Sequence, residues 1–257
     1  MPTTLKMVKK KKFENAVLFT GLPGIGLVGK ICVDYMLKQF KAEKVAEVYS
    51  DSFPPSVQTQ NGIVDLIKDD VYHYSYDGKD YLFLAGPVQP MLDSKVGSSQ
   101  EHYEFSGALV KGFKEIGVGE ICTLAGINIG ERRMHVTPRV IVAATSKKKL
   151  DEWKKVGAVS DKPVGMISGA AGLLLGIGKD EGLDGACLMG ETNARLIYGD
   201  PGAAKKILEL LIAKYGFEIE MKSMEKDAAE IEKAFSQLNK QLEEAEGEEP
   251  GSLTYVR

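Results

Sequence analysis

The chain has 257 residues, 44% of them hydrophobic and 27% charged, with a formal net charge of -3. That length builds one large domain, or one domain with an appendage. The balance lacks the strong basic excess of a nucleic-acid binder, and no apolar run approaches the ~18–20 residues of a membrane helix, so neither nucleic acid nor membrane is an expected partner.

Charge is uneven along the chain. Lys6 and the run Lys9 to Lys12 make the start basic, and Glu243, Glu244, Glu246, Glu248 and Glu249 make the end acidic. Such runs are read as solvated. Glu14 and Asn15 interrupt what would have to be a signal-peptide core. Cys32, Cys122 and Cys187 stand far apart, each in an apolar context, which predicts buried free thiols in a reducing compartment. A cytoplasmic address is expected.

In chain order, Ala16 to Thr20 is a short continuous apolar run that stops at Gly21, the pattern of a strand buried on both faces. A glycine-rich turn follows, then a helix over Leu27 to Phe40 and a second strand over Lys44 to Tyr49. This βαβ opening predicts a parallel sheet. Val71 to Tyr76 and Asp80 to Ala85 read as strands joined by Asp77-Gly78, a strong hairpin signal, so the sheet should be mixed. A helix over Gln100 to Ile116 stops at Gly117, and strands are expected at Glu120 to Ala125 and Arg139 to Ala144. Lys147 to Lys155 reads as a short helix, Ala186 to Met189 as a late strand, and Pro201 to Tyr215 as a helix with proline in its first turn and Gly216 past its end.

The last helix differs in kind. Met221, Met224, Ala228, Ile231, Phe235, Leu238 and Leu242 fall at spacings of three and four, an apolar seam about three heptads long. Two readings stay open: an amphipathic helix folded back on its own domain, or an intersubunit helix with Met224, Ile231, Phe235, Leu238 and Leu242 at the contact. Gly247, Pro250 and Gly251 then end the helix, and an exposed flexible tail is expected. The expected division is a core domain over 1–217, the helix over 218–246 and the tail over 247–257.

The most informative segment is Gly21-Leu22-Pro23-Gly24-Ile25-Gly26-Leu27-Val28-Gly29-Lys30. Gly24, Gly26 and Gly29 satisfy G-x-G-x-x-G between a strand and a helix, with Glu47 or Asp51 near the position of a ribose-binding acid. Gly24 to Lys30 also matches G-x-x-x-x-G-K, but Ile31 stands where a P-loop carries the Ser or Thr that holds Mg²⁺. Pattern alone leaves a nucleotide site and close strand-to-helix packing equally open. Other chemistry is thin. His73, His102 and His135 are scattered, Gly165 to Gly169 has its serine one position late for a nucleophile elbow, and no acid pair can be assembled. Gly169, Gly172, Gly176 and Gly178 are read as packing glycines of a helix capped by Ser168. No catalytic residue, metal ligand or cofactor is expected.

The opening Gly21 to Gly29 resembles that of the proteasome assembly chaperone family in its archaeal branch. Ser50-Asp51-Ser52-Phe53-Pro54-Pro55, Asn61-Gly62, Gly86-Pro87-Val88-Gln89-Pro90, Thr123-Leu124-Ala125-Gly126-Ile127, Ile167 to Leu174 and Cys187 to Thr192 agree in order, over roughly residues 14 to 240. The resemblance implies a three-layer α/β fold, with a mixed, mostly parallel sheet between helices, plus the C-terminal helix and tail. It implies a homo-oligomer without catalysis that helps proteasome α-subunits assemble, or docks on the completed α-ring, and a structural role for Gly21, Pro23, Gly24, Gly26 and Gly29. Some proteasome-binding proteins end in hydrophobic-Tyr-any residue. Here Tyr255 is third from the end, one register off, and the tail residues Leu253, Tyr255, Val256 and Arg257 are the partner-binding candidates. The rival readings are an enzyme with a nucleotide or nucleoside at Gly24 to Lys30, and an oligomeric scaffold without a proteasome role.

Overall fold

The computed structural model describes residues 2–90, 99–160 and 165–247, the side chains of residues 234 and 236–247 excepted. Its strands are β1 (Thr4–Met7), β2 (Ala16–Gly21), β3 (Glu43–Tyr49), β4 (Val57–Gln60), β5 (Ile63–Leu66), β6 (Asp69–Tyr76), β7 (Lys79–Ala85), β8 (Val118–Asn128), β9 (Val140–Ala144) and β10 (Asp184–Thr192). Its helices are α1 (Val28–Gln39), α2 (Ser99–Glu115), α3 (Lys147–Lys155), α4 (Gly169–Asp180), α5 (Pro201–Tyr215) and α6 (Lys222–Gly247).

Eight strands form one sheet in the order β1-β3-β6-β7-β2-β8-β10-β9. Its central strands β7, β2, β8 and β10 pair in parallel, and the flanks are antiparallel. Side-chain alternation divides the core. Phe19 and Phe83 point to a layer made by α1, α3 and α5, while Leu18 and Leu82 point to α2 and α4. This is the three-layer α/β arrangement that the sequence predicts. The opening βαβ unit is wider than its pattern implies, because β6 and β7 lie between β2 and β3. The β6–β7 hairpin turns on Asp77 (φ 50) and Gly78 (φ 71), both left-handed as that dipeptide favours.

Two elements escape the periodicity argument. The basic start is partly an edge strand: β1 pairs with β3, and Leu5 and Met7 pack inward while Lys6 sits between them. Two apolar residues are too few to signal a strand. Every residue of β4 and β5 is exposed, so no alternation marks that hairpin, although Asn61-Gly62 builds its turn with φ 51 and 78.

Asp69 opens β6 with its side chain buried. Burial pushes its carboxyl well above the usual carboxylate range, against a smaller opposing pull from the Val88 backbone amide. A carboxyl raised by folding stabilises most below its unfolded pKa of ~3.9, and stability falls as pH rises toward the folded value. Asp69→Asn is therefore expected to melt higher than the wild type at pH 7 and close to it near pH 4. Melting curves at the two pH values check this, and parallel pH dependences would refute it.

Candidate functional site

The glycine loop follows directly from the end of β2, where three of its glycines are demanded by the chain itself. A Cβ on Gly21 would lie 2.4 Å from Val33 Cβ, and one on Gly29 would lie 2.0 Å from the Leu124 carbonyl oxygen. The second contact sets α1 directly on β8. Gly26 has φ +60 and its Cβ would lie 2.5 Å from Thr192 Oγ1. Leu27 is also left-handed (φ 48), a conformation that costs a non-glycine residue roughly 1–2 kcal/mol. Two hydrogen bonds hold the turn: Leu27 N–H donates to Gly24 O at 2.9 Å, and Asp200 N–H donates to Gly26 O at 2.8 Å. Gly24 differs, being extended with nothing within 4 Å of its Cβ position. The side-chain amide of Gln89 donates to Pro23 O and its oxygen accepts from Ala170 N–H, tying the loop to the start of α4.

The nucleotide fingerprint is not assembled around these glycines. Lys30 Nζ donates to Asp34 at 2.8 Å and to Gly86 O at 3.4 Å. Glu47 is bound by Lys68 (2.6 Å) and Lys44 (2.9 Å), and these hydrogen bonds lower its pKa to about 2. It stands on β3, three strand spacings from β2, or about 14 Å, whereas a ribose-binding acid ends the strand beside the first.

A cavity of about 200 Å³ lies at the C-terminal ends of β2 and β8, with Thr20, Leu22, Ile25, Ile127, Asn128 and Met166 among its walls. The chain leaves β2 toward β3 on one side and leaves β8 toward β9 on the other, so this is the switch point of the sheet, where α/β folds bind ligands. Its described lining residues carry no charge, and it is smaller than the ~300–1,000 Å³ of ordinary ligand pockets.

Other chemistry is dispersed. All three cysteines are buried, and burial pushes the Cys187 thiol up to about 11. His73 is hydrogen-bonded to Asp80 at 2.6 Å. Among the described residues no cluster of His, Cys, Asp and Glu could hold a metal ion, and no helix is long and apolar enough to cross a membrane. Ser168 sits at the N-cap of α4, but its side chain makes no capping bond; Gln89 takes the Ala170 amide instead.

The first part of α6 packs on the body of its own chain. Met224, Ala228 and Phe235 are buried there, and Ile231 is half-buried beside an open groove that also carries Tyr198. Leu238 and Leu242 fall on the helical backbone, their side chains outside the described residues. Leu253, Tyr255, Val256 and Arg257 also lie outside them. Sequence reasoning missed the polar cluster beneath this helix: Arg133 and Asp200, both fully buried, with Glu232 of α6. Asp200-Pro201 is legible as a helix start, and Asp200 does cap α5 by accepting from Ala203 N–H at 3.0 Å. Nothing in the sequence pairs Arg133 with it.

Compared with known proteins, the chain matches the model of the PAC2 family over residues 18–239. It is 34% identical over 242 residues to the uncharacterized protein MJ1210 of Methanocaldococcus jannaschii, covering 94% of this chain and 90% of that one. The crystal structure of PbaB of Pyrococcus furiosus, an archaeal proteasome activator, is similar with a TM-score of 0.82 at 30% identity, over 93% of this chain and 99% of that chain. PbaA of the same organism, an archaeal homolog of proteasome-assembly chaperone, gives a TM-score of 0.72 at 25% identity, over 96% and 95% of the two chains.

Proposed function

The chain belongs to the PAC2 family, and on that premise we propose that it is a homo-oligomeric binding protein that docks on proteasome α-subunits or the α-ring and catalyses no reaction. The observation that carries the reading is the likeness to an archaeal proteasome activator over nearly the whole of that chain. The glycine loop supports it: Gly26 and Gly29, two of the three positions that mimic a nucleotide fingerprint, serve close packing, and Lys30 and Glu47 are engaged elsewhere.

In this reading the core, the last helix and the tail divide the work. The helix contributes subunit contacts along the seam from Met224 through Ile231 and Phe235 to Leu238 and Leu242. Met224 and Phe235 are covered by their own subunit, so the neighbour is met through Ile231 and the distal turns. The tail residues Leu253, Tyr255, Val256 and Arg257 contact the ring. A tyrosine buries a large ring with little rotamer loss and keeps a hydroxyl for hydrogen bonding. One short tail binds weakly, and several on one oligomer gain about 10²–10⁴ in avidity.

The test is a chain truncated after Pro250. It is expected to keep the native mass of an oligomer and a melting temperature within ~2 °C of the full chain, and to lose capture of isolated α-rings. A large fall in melting temperature would make the tail structural. Undiminished capture would remove it from docking, and a monomeric full chain would end the oligomer reading.

A further inference from the structure

Arg133, on the 3-10 turn Gly130–Met134, is fully buried together with Asp200. Its Nε and one terminal nitrogen donate to the two carboxylate oxygens of Asp200 at 2.8 and 3.0 Å. That same terminal nitrogen donates to Glu232 of α6 at 2.6 Å, and the other donates to Val136 O at 3.3 Å. The guanidinium lies 5.3 Å from the ring centre of Phe235, also on α6. Burial works against the charged guanidinium, but the hydrogen bonds to Asp200 and Glu232 outweigh it and hold its pKa above the usual value.

Asp200 carries the connection inward. It accepts from Thr192 Oγ1 at 2.9 Å, and its N–H donates to Gly26 O in the glycine loop at 2.8 Å. The surroundings are shaped for this cluster. A Cβ on Gly202 would lie 2.6 Å from Arg133 and 3.1 Å from Glu232, and one on Gly26 would meet the Thr192 hydroxyl. A single polar chain thus runs from the loop at the sheet's switch point to the C-terminal helix.

The helix is held along one face, with Ala228 buried between its two end points. Met224 joins the core on the α5 side, and Glu232 with Phe235 meets Arg133. Glu232 and Phe235 lie 8 and 11 residues beyond Met224, about 12 and 16 Å along a helix. One contact allows a helix to pivot; two at that separation fix its direction. We propose that Arg133 is a positioning residue that sets the direction in which α6, and the tail after it, leaves the subunit, so that the tails of an oligomer are presented together. The second half of this proposal rests on the docking reading above; the first half does not.

Glu232→Ala in the full chain separates them. It removes the outer end of the cluster and leaves the buried Arg133–Asp200 pair intact. Amides of residues 225–240 are expected to exchange about threefold to tenfold faster than in the wild type, with those of α5 unchanged. That range is what a charge-assisted hydrogen bond supplies after discounting for a half-exposed carboxylate. Glu230→Ala, on the exposed side of the same helix, is expected to change nothing. The concentration for half-maximal binding to isolated α-rings should rise by a similar factor. Unchanged exchange in Glu232→Ala would overturn the proposal outright. Faster exchange with unaltered ring binding would leave Arg133 as a tie and overturn its positioning role. If the wild type itself does not bind rings, the docking reading falls, and exchange alone still decides whether Arg133 holds the helix.

Discussion

Gly26→Val is expected to lower the melting temperature by about 6–20 °C, while Gly24→Ala, two residues earlier, leaves it within ~2 °C. The contrast follows from the backbone. Gly26 has φ +60, and a Cβ there would stand 2.5 Å from Thr192 Oγ1, which is itself hydrogen-bonded to Asp200. Left-handed strain of roughly 1–2 kcal/mol adds to overpacking of about 1–3 kcal/mol. A β-branched residue enlarges both terms. At Gly24 the backbone is extended and the Cβ position open, so neither cost arises. Thermal melting of the two variants checks the pair. A Gly26→Val chain as stable as the wild type, with a lost small-molecule ligand, would restore the nucleotide reading of this loop.

That loop shows where sequence reasoning reaches and where it stops. Strand–turn–helix punctuation was legible because it is local: the apolar run of β2, the glycines, and the proline and glycine that bracket α5 at Pro201 and Gly216. The G-x-G-x-x-G spacing was equally legible but ambiguous. A glycine answers to close approach, and the pattern cannot say whether the approaching group is a pyrophosphate or, as at Gly29, the carbonyl of Leu124. Sheet order was not legible, because the position of β6 and β7 between β2 and β3 depends on pairing between strands far apart in sequence, β7 with β2 in parallel and β6 with β3 antiparallel. The β4–β5 hairpin stayed hidden for the opposite reason: with Val57, Ile63, Val64 and Leu66 all exposed, it carries no buried face to impress a period. The helix seam was legible as amphipathic, while its charged tie was not. Arg133 and Asp200 are 67 residues apart, and the helix-start signal at Asp200 carries nothing that points to Arg133.

Replacement of Arg133 by leucine is expected to be the most damaging change to a charged residue in the described structure, at about 3–5 kcal/mol. The side chain is fully buried against an equally buried carboxylate. Truncation leaves Asp200 with the Thr192 hydroxyl and the Ala203 amide as neutral donors and no countercharge. A carboxylate stranded in that state, and not the lost attraction of the pair, accounts for most of the cost. Arg133→Leu combined with Asp200→Asn should therefore be more stable than Arg133→Leu alone. Asparagine keeps one oxygen for the α5 cap and presents its NH2 to the Thr192 hydroxyl, which then accepts, while removing the charge, so recovery of about half the loss is expected, with the rest reflecting the bonds to Glu232 and Val136. Denaturant midpoints of the wild type, both single variants and the double variant measure this cycle. A double variant that loses the sum of the two single effects would show that the residues act independently, and that the buried pair does not set the stability of the ground on which α6 is laid.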